Sequence, residues 1–180
     1  MNVLVAYASR HGATAGIAER IAMTLTLRGH PAEAVPVERV TNLADVEAVV
    51  IGSAAYMGRW LGPAQSFVRR HRDELGRLPV WLFSSGPLGT DTVDAQGRDV
   101  LEASRPQEFE DLDRALQPRG KKVFYGAYNP ADKPVGVSER VVRSMPSVKR
   151  ALPEGDFRNW QAIDDWASQI ADELDAQPAS

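Results

Sequence analysis

The chain contains no cysteine, and this absence removes several kinds of chemistry. Without cysteine there is no disulfide, no thiol nucleophile, no zinc site built on thiolates and no iron–sulfur cluster held by cysteines. Histidine is also scarce, because only His11, His30 and His71 occur, at positions too scattered to indicate a metal site. We therefore expect no bound metal.

A strong excess of one charge and long apolar runs are lacking as well. The 21 basic and 24 acidic residues give a net charge of −3, which excludes a general basic field for nucleic acid. No apolar run reaches the length of a membrane span, and no basic leader with an apolar core precedes the first apolar stretch. These absences predict a cytoplasmic protein, with peripheral contact at the inner face of the membrane as an alternative.

The sequence does contain a regular alternation of apolar strand candidates and helical patterns. The predicted strands span residues 3–7, 31–37, 48–52, 80–84 and 122–127, and the predicted helices span 13–28, 63–75, 106–116 and 160–174. This alternation predicts an α/β protein in three layers, with a five-stranded parallel sheet covered by helices on both faces. The length suits one domain, residues 1–175, with a frayed tail at 176–180.

The strongest functional signal lies between the first predicted strand and the first predicted helix. We call residues 9–14 the first loop; they are Ser9, Arg10, His11, Gly12, Ala13 and Thr14. Amide groups that open a helix lack intrahelical partners and the helix dipole favours an anion, so this loop suits a phosphate. The hydroxyls of Ser9 and Thr14 are candidate donors, and Gly12 permits close approach. An ordinary turn capped by Ser9 is the alternative.

Two further loops follow the third and fourth predicted strands and should meet the first loop at one edge of the sheet. The second loop comprises Ser53, Ala54, Ala55, Tyr56, Met57 and Gly58, and the third loop comprises Ser84, Ser85, Gly86, Pro87, Leu88 and Gly89. Small residues would let a flat ring approach the backbone, and Tyr56, Met57 or Trp60 would cover its face. Plugging of the sheet edge by these large side chains, and a plain turn in the third loop, are the alternatives.

The first loop resembles the phosphate loop of flavodoxins, Thr/Ser-x-Thr-Gly-x-Thr, except that His11 replaces a hydroxyl residue. This resemblance implies a doubly wound, flavodoxin-like sheet with strand order 2-1-3-4-5. It also implies a noncovalent FMN as cofactor, bound by the residues of the three loops. A related flavin or deazaflavin is one alternative, and loss of cofactor affinity through His11 is another.

A narrower resemblance is to the menaquinone-dependent, oxygen-independent type of protoporphyrinogen oxidase. It is carried by the first loop, by Val50-Ile51-Gly52-Ser53-Ala54 with Tyr56 and Gly58, and by Gly155-Asp156-Phe157-Arg158-Asn159-Trp160. It implies an FMN-dependent oxidoreductase that passes electrons from a porphyrinogen or another small organic substrate to a quinone, with no catalytic acid or base assigned. The alternative is a flavodoxin electron carrier without a substrate. Such carriers typically have a strongly acidic docking face, and the near balance of acidic and basic residues in this chain argues against one.

Two long connectors complete the sequence. Residues 138–152 set apolar side chains against Arg140, Arg143, Lys149 and Arg150, a pattern that suits peripheral contact with anionic lipid and access to a membrane quinone. A basic segment packed on the domain is the alternative. The polar connector 88–106 is either a lid over the flavin or substrate cleft or a plain surface loop.

Overall fold

The computed structural model of the protein describes residues 1–129, 131 and 153–176. The basic segment 138–152 and the end of the predicted tail, 177–180, lie outside the described residues. The strands are β1 (Val3–Ala8), β2 (Ala32–Pro36), β3 (Ala48–Tyr56), β4 (Arg59–Trp60), β5 (Val80–Ser85), β6 (Gly120–Phe124), β7 (Ala127–Tyr128) and β8 (Gly155–Asp156). The helices are α1 (Ala13–Leu27), α2 (Gly62–Arg70), α3 (Arg72–Leu75), α4 (Val100–Ala103), α5 (Glu108–Leu116) and α6 (Trp160–Asp175).

Five parallel strands form the central sheet in the order β2-β1-β3-β5-β6. Counted along the chain, these are the second, first, third, fourth and fifth of the long strands, so the predicted fold and order are confirmed. The short strand β4 pairs antiparallel with the end of β3, and β7 pairs antiparallel with β8 beyond the end of β6. The chain therefore adds two small antiparallel pairs at the carboxyl edge of the parallel sheet.

Both faces of the sheet are buried, which explains why its strands are nearly continuous apolar runs. On one face, Val5 of β1 and Phe83 of β5 pack with residues of α1 and α6 such as Ile21 and Ile170. On the other face, side chains of the same strands pack with α2, α3 and α5. The alternation of side chains along a strand thus sends successive apolar residues into two separate cores.

Helices α1 and α6 pack side by side because each buries an apolar stripe. Polar contacts add to this packing, since Arg20 donates two hydrogen bonds of 2.6 Å to Asp164, and Thr24 donates a third to the same carboxylate. Asn159 caps α6, because its side chain accepts a hydrogen bond from the amide of Ala162. No helix of the described ranges is both long enough and apolar enough to cross a membrane.

The predicted helix 63–75 is interrupted at His71, which separates α2 from α3. The ring of His71 is buried, lies 5.0 Å from the ring of Phe67 and contacts the carboxylate of Glu74 through Nδ1 at 2.7 Å. Its backbone angles, φ −107° and ψ 19°, depart from helical values. The periodicity of the apolar residues continues across this break, so the sequence pattern did not reveal it.

Candidate functional site

The first loop leads directly into α1 at the carboxyl edge of the sheet. Gly12 precedes the helix with φ +83°, a left-handed conformation that favours glycine. The hydroxyl oxygen of Ser9 accepts a hydrogen bond of 3.1 Å from the amide of Gly12, so Ser9 shapes the loop, while Gly12 occupies the cap position. This hydrogen bond is the one that the alternative, an ordinary turn capped by Ser9, predicts.

The first turn of α1 is electrostatically suited to an anion. No side chain caps this helix, and its first turn contains no acidic residue. The opening amide groups, beginning with that of Ala13, have no intrahelical acceptor, and the dipole places partial positive charge at this end. These groups fit the monophosphate that the first loop predicts.

Thr14 differs in position from the other residues of the first loop, because its side chain is only 1% exposed. Its hydroxyl lies 2.8 Å from the hydroxyl of Ser85, at the end of β5. The structure thus joins the first and third loops through two buried hydroxyls. Ser53 and Ser84 are also fully buried and bonded within the sheet edge, so their side chains support the three loops from inside.

The second loop is a hairpin tip, not a simple connector. Strand β3 continues to Tyr56, and Met57 and Gly58 turn the chain into β4 with φ values of +52° and +73°. Tyr56 is 41% exposed and Met57 is 97% exposed. The guanidinium carbon of Arg10 lies 4.8 Å from the centre of the Tyr56 ring, so the first and second loops meet at this rim.

Trp60 does not belong to the exposed rim, and the prediction that it could cover a flat ring is wrong. The side chain is 3% exposed and packs edge-on against Phe109, with ring centres 5.8 Å apart. Pairing of β4 with β3 turns Trp60 inward, toward the core formed with α2 and α5. Tyr56 and Met57 remain as the large side chains of the second loop that face outward.

Glu108, at the start of α5, anchors the hairpin. Its carboxylate is buried and accepts hydrogen bonds from the amide of Trp60 at 3.0 Å and from the side chain of Gln65 at 2.9 Å. The guanidinium of Arg59 lies 3.4 Å away, and the Gln107 amide donates to the carbonyl of Gly58. A single carboxylate therefore fixes the base of the second loop.

The backbone of the third loop lies close to the backbone of the second loop where Gly86 meets Ala55. A side-chain carbon added to Gly86 would lie 3.1 Å from the carbonyl oxygen of Ala55, so a small residue is needed at this crossing. The carbonyl of Pro87 accepts a hydrogen bond of 2.8 Å from the amide of Gly126. The following connector is partly ordered into α4, and Tyr125 donates a hydrogen bond of 2.6 Å to the carbonyl of Asp91. Its role as a lid stays a prediction.

A cleft of about 510 Å³ opens beside the first loop. One wall consists of His11, Gly12 and Ala13, and the other consists of Ala127, Tyr128, Asn129, Glu154, Gly155, Asp156 and Arg158. The second wall comes from β7, β8 and their ends, none of which was among the predicted site residues. Residues 155–160 carry part of the narrower resemblance, which assigns no role to any of them.

Arg158 is the cation of this second wall. It donates to both carboxylate oxygens of Asp156, at 2.8 and 2.6 Å, and to the carbonyl of Ala13 at 3.3 Å. Its guanidinium also lies over the ring of Trp160, 4.4 Å from the ring centre. Hydrogen bonds from Arg158 lower the pKa of Asp156 below its ordinary value, against the opposing effect of partial burial.

Comparisons with known proteins agree with this architecture. The chain resembles a flavodoxin from the domain Archaea (15% identity, TM-score 0.60, 97% of this chain and 99% of the other) and a mutant of flavodoxin from Pseudomonas aeruginosa (16%, 0.61, 98% and 100%). It also resembles part of rubredoxin oxygen:oxidoreductase from Desulfovibrio gigas, with 13% identity and TM-score 0.61 over 99% of this chain and 37% of the other. At such identities these likenesses show the fold. No curated protein is significantly similar in sequence.

The family is shown by the sequence itself. The profile of the flavodoxin domain matches residues 4–132, which include all three loops and the five parallel strands apart from Val3 at the start of β1. The matched part ends before β8 and Arg158, so the second wall is divided: Ala127, Tyr128 and Asn129 lie inside the matched region, and residues 154–158 lie beyond it. The chain therefore belongs to the flavodoxin domain family, whose cofactor is FMN.

Proposed function

We propose that the protein is an FMN-dependent oxidoreductase of the protoporphyrinogen oxidase type, which oxidises a reduced organic substrate and reduces a quinone. FMN supplies two-electron redox chemistry when bound. The observation that carries the proposal is the rim of the site, where Arg10 lies over Tyr56 beside the almost fully exposed Met57. A cation next to apolar and aromatic surface suits a flat organic substrate that bears carboxylates.

The reaction is balanced without any further reactant. In each cycle the donor loses two electrons and two protons, and the quinone gains two electrons and two protons. The chain's own residues bind and orient the reactants, because Tyr56 and Met57 offer apolar contact and Arg10 offers charge-assisted hydrogen bonds to a carboxylate. No side chain is assigned as acid or base, and the protons exchange with water.

The test is anaerobic turnover of the purified holoprotein with protoporphyrinogen and menadione, followed by porphyrin fluorescence. We expect many equivalents of porphyrin for each bound FMN. Arg10→Gln should raise KM for the carboxylate-bearing donor about tenfold, because a charge-assisted contact is lost. Arg69→Gln, which removes an exposed charge on α2, is the matched control and should leave KM unchanged. A porphyrinogen loses six electrons on its way to the porphyrin and FMN accepts two, so porphyrin formation that stops at about a third of an equivalent per bound FMN would contradict the proposal.

An electron carrier is the second candidate. It is favoured by the similarity to flavodoxins, two of which are covered over 99% and 100% of their length. A carrier exchanges electrons stoichiometrically with a protein partner and turns over no small substrate. Rapid exchange with a flavodoxin reductase in the absence of quinone turnover would therefore support this candidate over the oxidoreductase.

For a quinone that resides in the membrane, we propose that residues 138–152 provide peripheral contact. Support comes from the sequence alone, in which basic and apolar side chains alternate over this segment. In a co-sedimentation assay, the protein should pellet with anionic vesicles and stay in the supernatant with zwitterionic vesicles. Replacing Arg140, Arg143, Lys149 and Arg150 by glutamine should abolish retention, and the same change at exposed Arg69, Arg72, Arg105 and Arg114 should not.

A further inference from the structure

The side chain of Arg158 lies where a cation is electrostatically unfavourable. Its guanidinium contacts the carbonyl of Ala13 in the first turn of α1, the end of the helix that carries partial positive charge. This first turn contains no acidic side chain that would compensate. Asp156 is the anion that pairs with this cation, and a phosphate at the opening amides of α1 would be a second anion beside it.

The packing shows that α1 makes room for this guanidinium. A side-chain carbon added to Gly16 would lie 2.6 Å from Nη1 of Arg158, which is too close. Glycine inside a helix is unfavourable relative to alanine. Its presence one turn into α1 is thus explained by the need to admit the arginine.

Arg158 is also held in a fixed orientation. Asp156 binds Nε and Nη2, the Trp160 ring lies against the guanidinium, and the side chain is 17% exposed. Nη1 is left to face the first turn of α1. Orientation by these neighbours reduces the entropy lost when the guanidinium binds a ligand.

The cleft is lined by charged side chains of both signs. Glu154 and Asp156 line the same cleft, and both carboxylates would repel a phosphate. Among the described lining residues, Arg158 carries the permanent positive charge, which offsets one of these two carboxylates.

We propose that Arg158 is a phosphate-binding residue of the FMN site and makes the protein selective for FMN over riboflavin. The inference rests on FMN as the cofactor and is independent of the electron donor and acceptor. It adds a cation from beyond the matched flavodoxin region to a loop whose own cation, Arg10, lies over the ring of Tyr56.

The experiment is titration of the apoprotein with FMN and with riboflavin, followed by quenching of flavin fluorescence. Arg158→Gln should weaken FMN binding at least about tenfold and riboflavin binding less than about threefold. Gly16→Ala should have the same selective effect, because it displaces the guanidinium while favouring the helix. This second variant keeps the test valid if Arg158→Gln fails to fold.

Arg28→Gln is the matched control, since it removes an equal charge that pairs α1 with Asp172 of α6 at the far end of the helix. It should leave the ratio of FMN to riboflavin affinity unchanged. The affinity of the wild-type protein for FMN should also fall with salt more steeply than that of Arg158→Gln.

Equal losses for the two ligands in Arg158→Gln and Gly16→Ala would overturn the proposal and show that Arg158 only joins β8 to α1. Absence of FMN binding by the wild-type protein would overturn it together with the cofactor. Selective loss of FMN affinity in a protein that does not turn over quinone would support the proposal and contradict only the proposed oxidoreductase function.

Discussion

The hydroxyls of Thr14 and Ser85 lie 2.8 Å apart in the interior, joining the first turn of α1 to the end of β5. This contact links the loop that suits the phosphate with the loop that is expected to face the flavin ring. Because both side chains are almost fully buried, each depends on the other as a hydrogen-bond partner. This buried hydrogen bond therefore fixes the distance between the first and third loops.

Thr14→Val should destabilise the apoprotein by about 1 to 3 kcal/mol, because Ser85 loses its buried partner at similar side-chain volume. FMN affinity should fall as well, since the two loops are no longer held together. Thr14→Ser should restore most of the stability. Urea unfolding measures the effect, and Thr90→Val at an exposed position after the third loop is the control. Wild-type stability and FMN affinity in Thr14→Val would show that the contact has no structural role.

Glu108→Ala should loosen the hairpin that carries Tyr56. The amide of Trp60 and the side chain of Gln65 lose a buried acceptor, at a cost of about 2 kcal/mol in the free energy of unfolding. Limited proteolysis should then cut the hairpin faster than in the wild-type protein. Glu110→Ala, at an exposed site of the same helix, should change stability by less than about 0.5 kcal/mol. Equal effects of the two substitutions would contradict the anchoring role.

Asp164 should make stability depend on pH in the acid range. Hydrogen bonds from Arg20 lower the pKa of Asp164, with a further contribution from Thr24, while burial opposes them. A lowered folded-state pKa gives a contribution that is complete above the ordinary value of about 3.9 and is lost as pH falls through the folded value.

Asp164→Asn should therefore lower stability by about 1 kcal/mol at pH 7 and flatten its decline below about pH 4. Thermal unfolding between about pH 2 and pH 7 measures both effects. Asp111→Asn, in an exposed pair with Arg114, should leave the profile of the wild-type protein intact. A steeper acid decline in Asp164→Asn would mean that the sign of the assigned pKa shift is wrong.

Tyr56 and Trp60 should differ in their influence on the flavin. Tyr56→Ala should weaken FMN binding about 2-fold to 10-fold and shift the visible absorption bands, because an exposed aromatic ring of the second loop is lost. Tyr56→Phe should retain both properties. Trp60→Phe should lower the unfolding temperature and leave the flavin spectrum unchanged, since its ring lies in the core. A spectral change in Trp60→Phe comparable with that in Tyr56→Ala would reverse this assignment.

The sequence predicted the parallel strands well because strands that are buried on both faces are nearly continuous apolar runs. Val5 and Val50 lie in strands that are apolar at nearly every position, and such runs separated by helical patterns admit few other folds. Gly52 carries a packing constraint that the apolar pattern of the strand does not reveal. A side-chain carbon there would lie 1.9 Å from the ring of Phe83, so the space serves packing of the core and not approach of a cofactor.

The apolar pattern did not predict the hairpin of the second loop or the second wall of the cleft. Met57 adopts φ +52°, whereas tight hairpin turns are usually signalled by asparagine or aspartate before glycine. The contact between Ala13 and Arg158 joins residues 145 positions apart, and no local pattern encodes such a distance. The unusual turn at Met57 explains why the sequence did not reveal that Trp60 points into the core. The long sequence separation explains why it gave no role to Arg158.

The most direct measurement of the central claim is a crystal structure of the protein with FMN. We expect the phosphate to lie within hydrogen-bond distance of the amides that open α1, with the flavin ring against the second and third loops. Flavin density at another surface, with the first turn of α1 occupied only by solvent, would contradict the account.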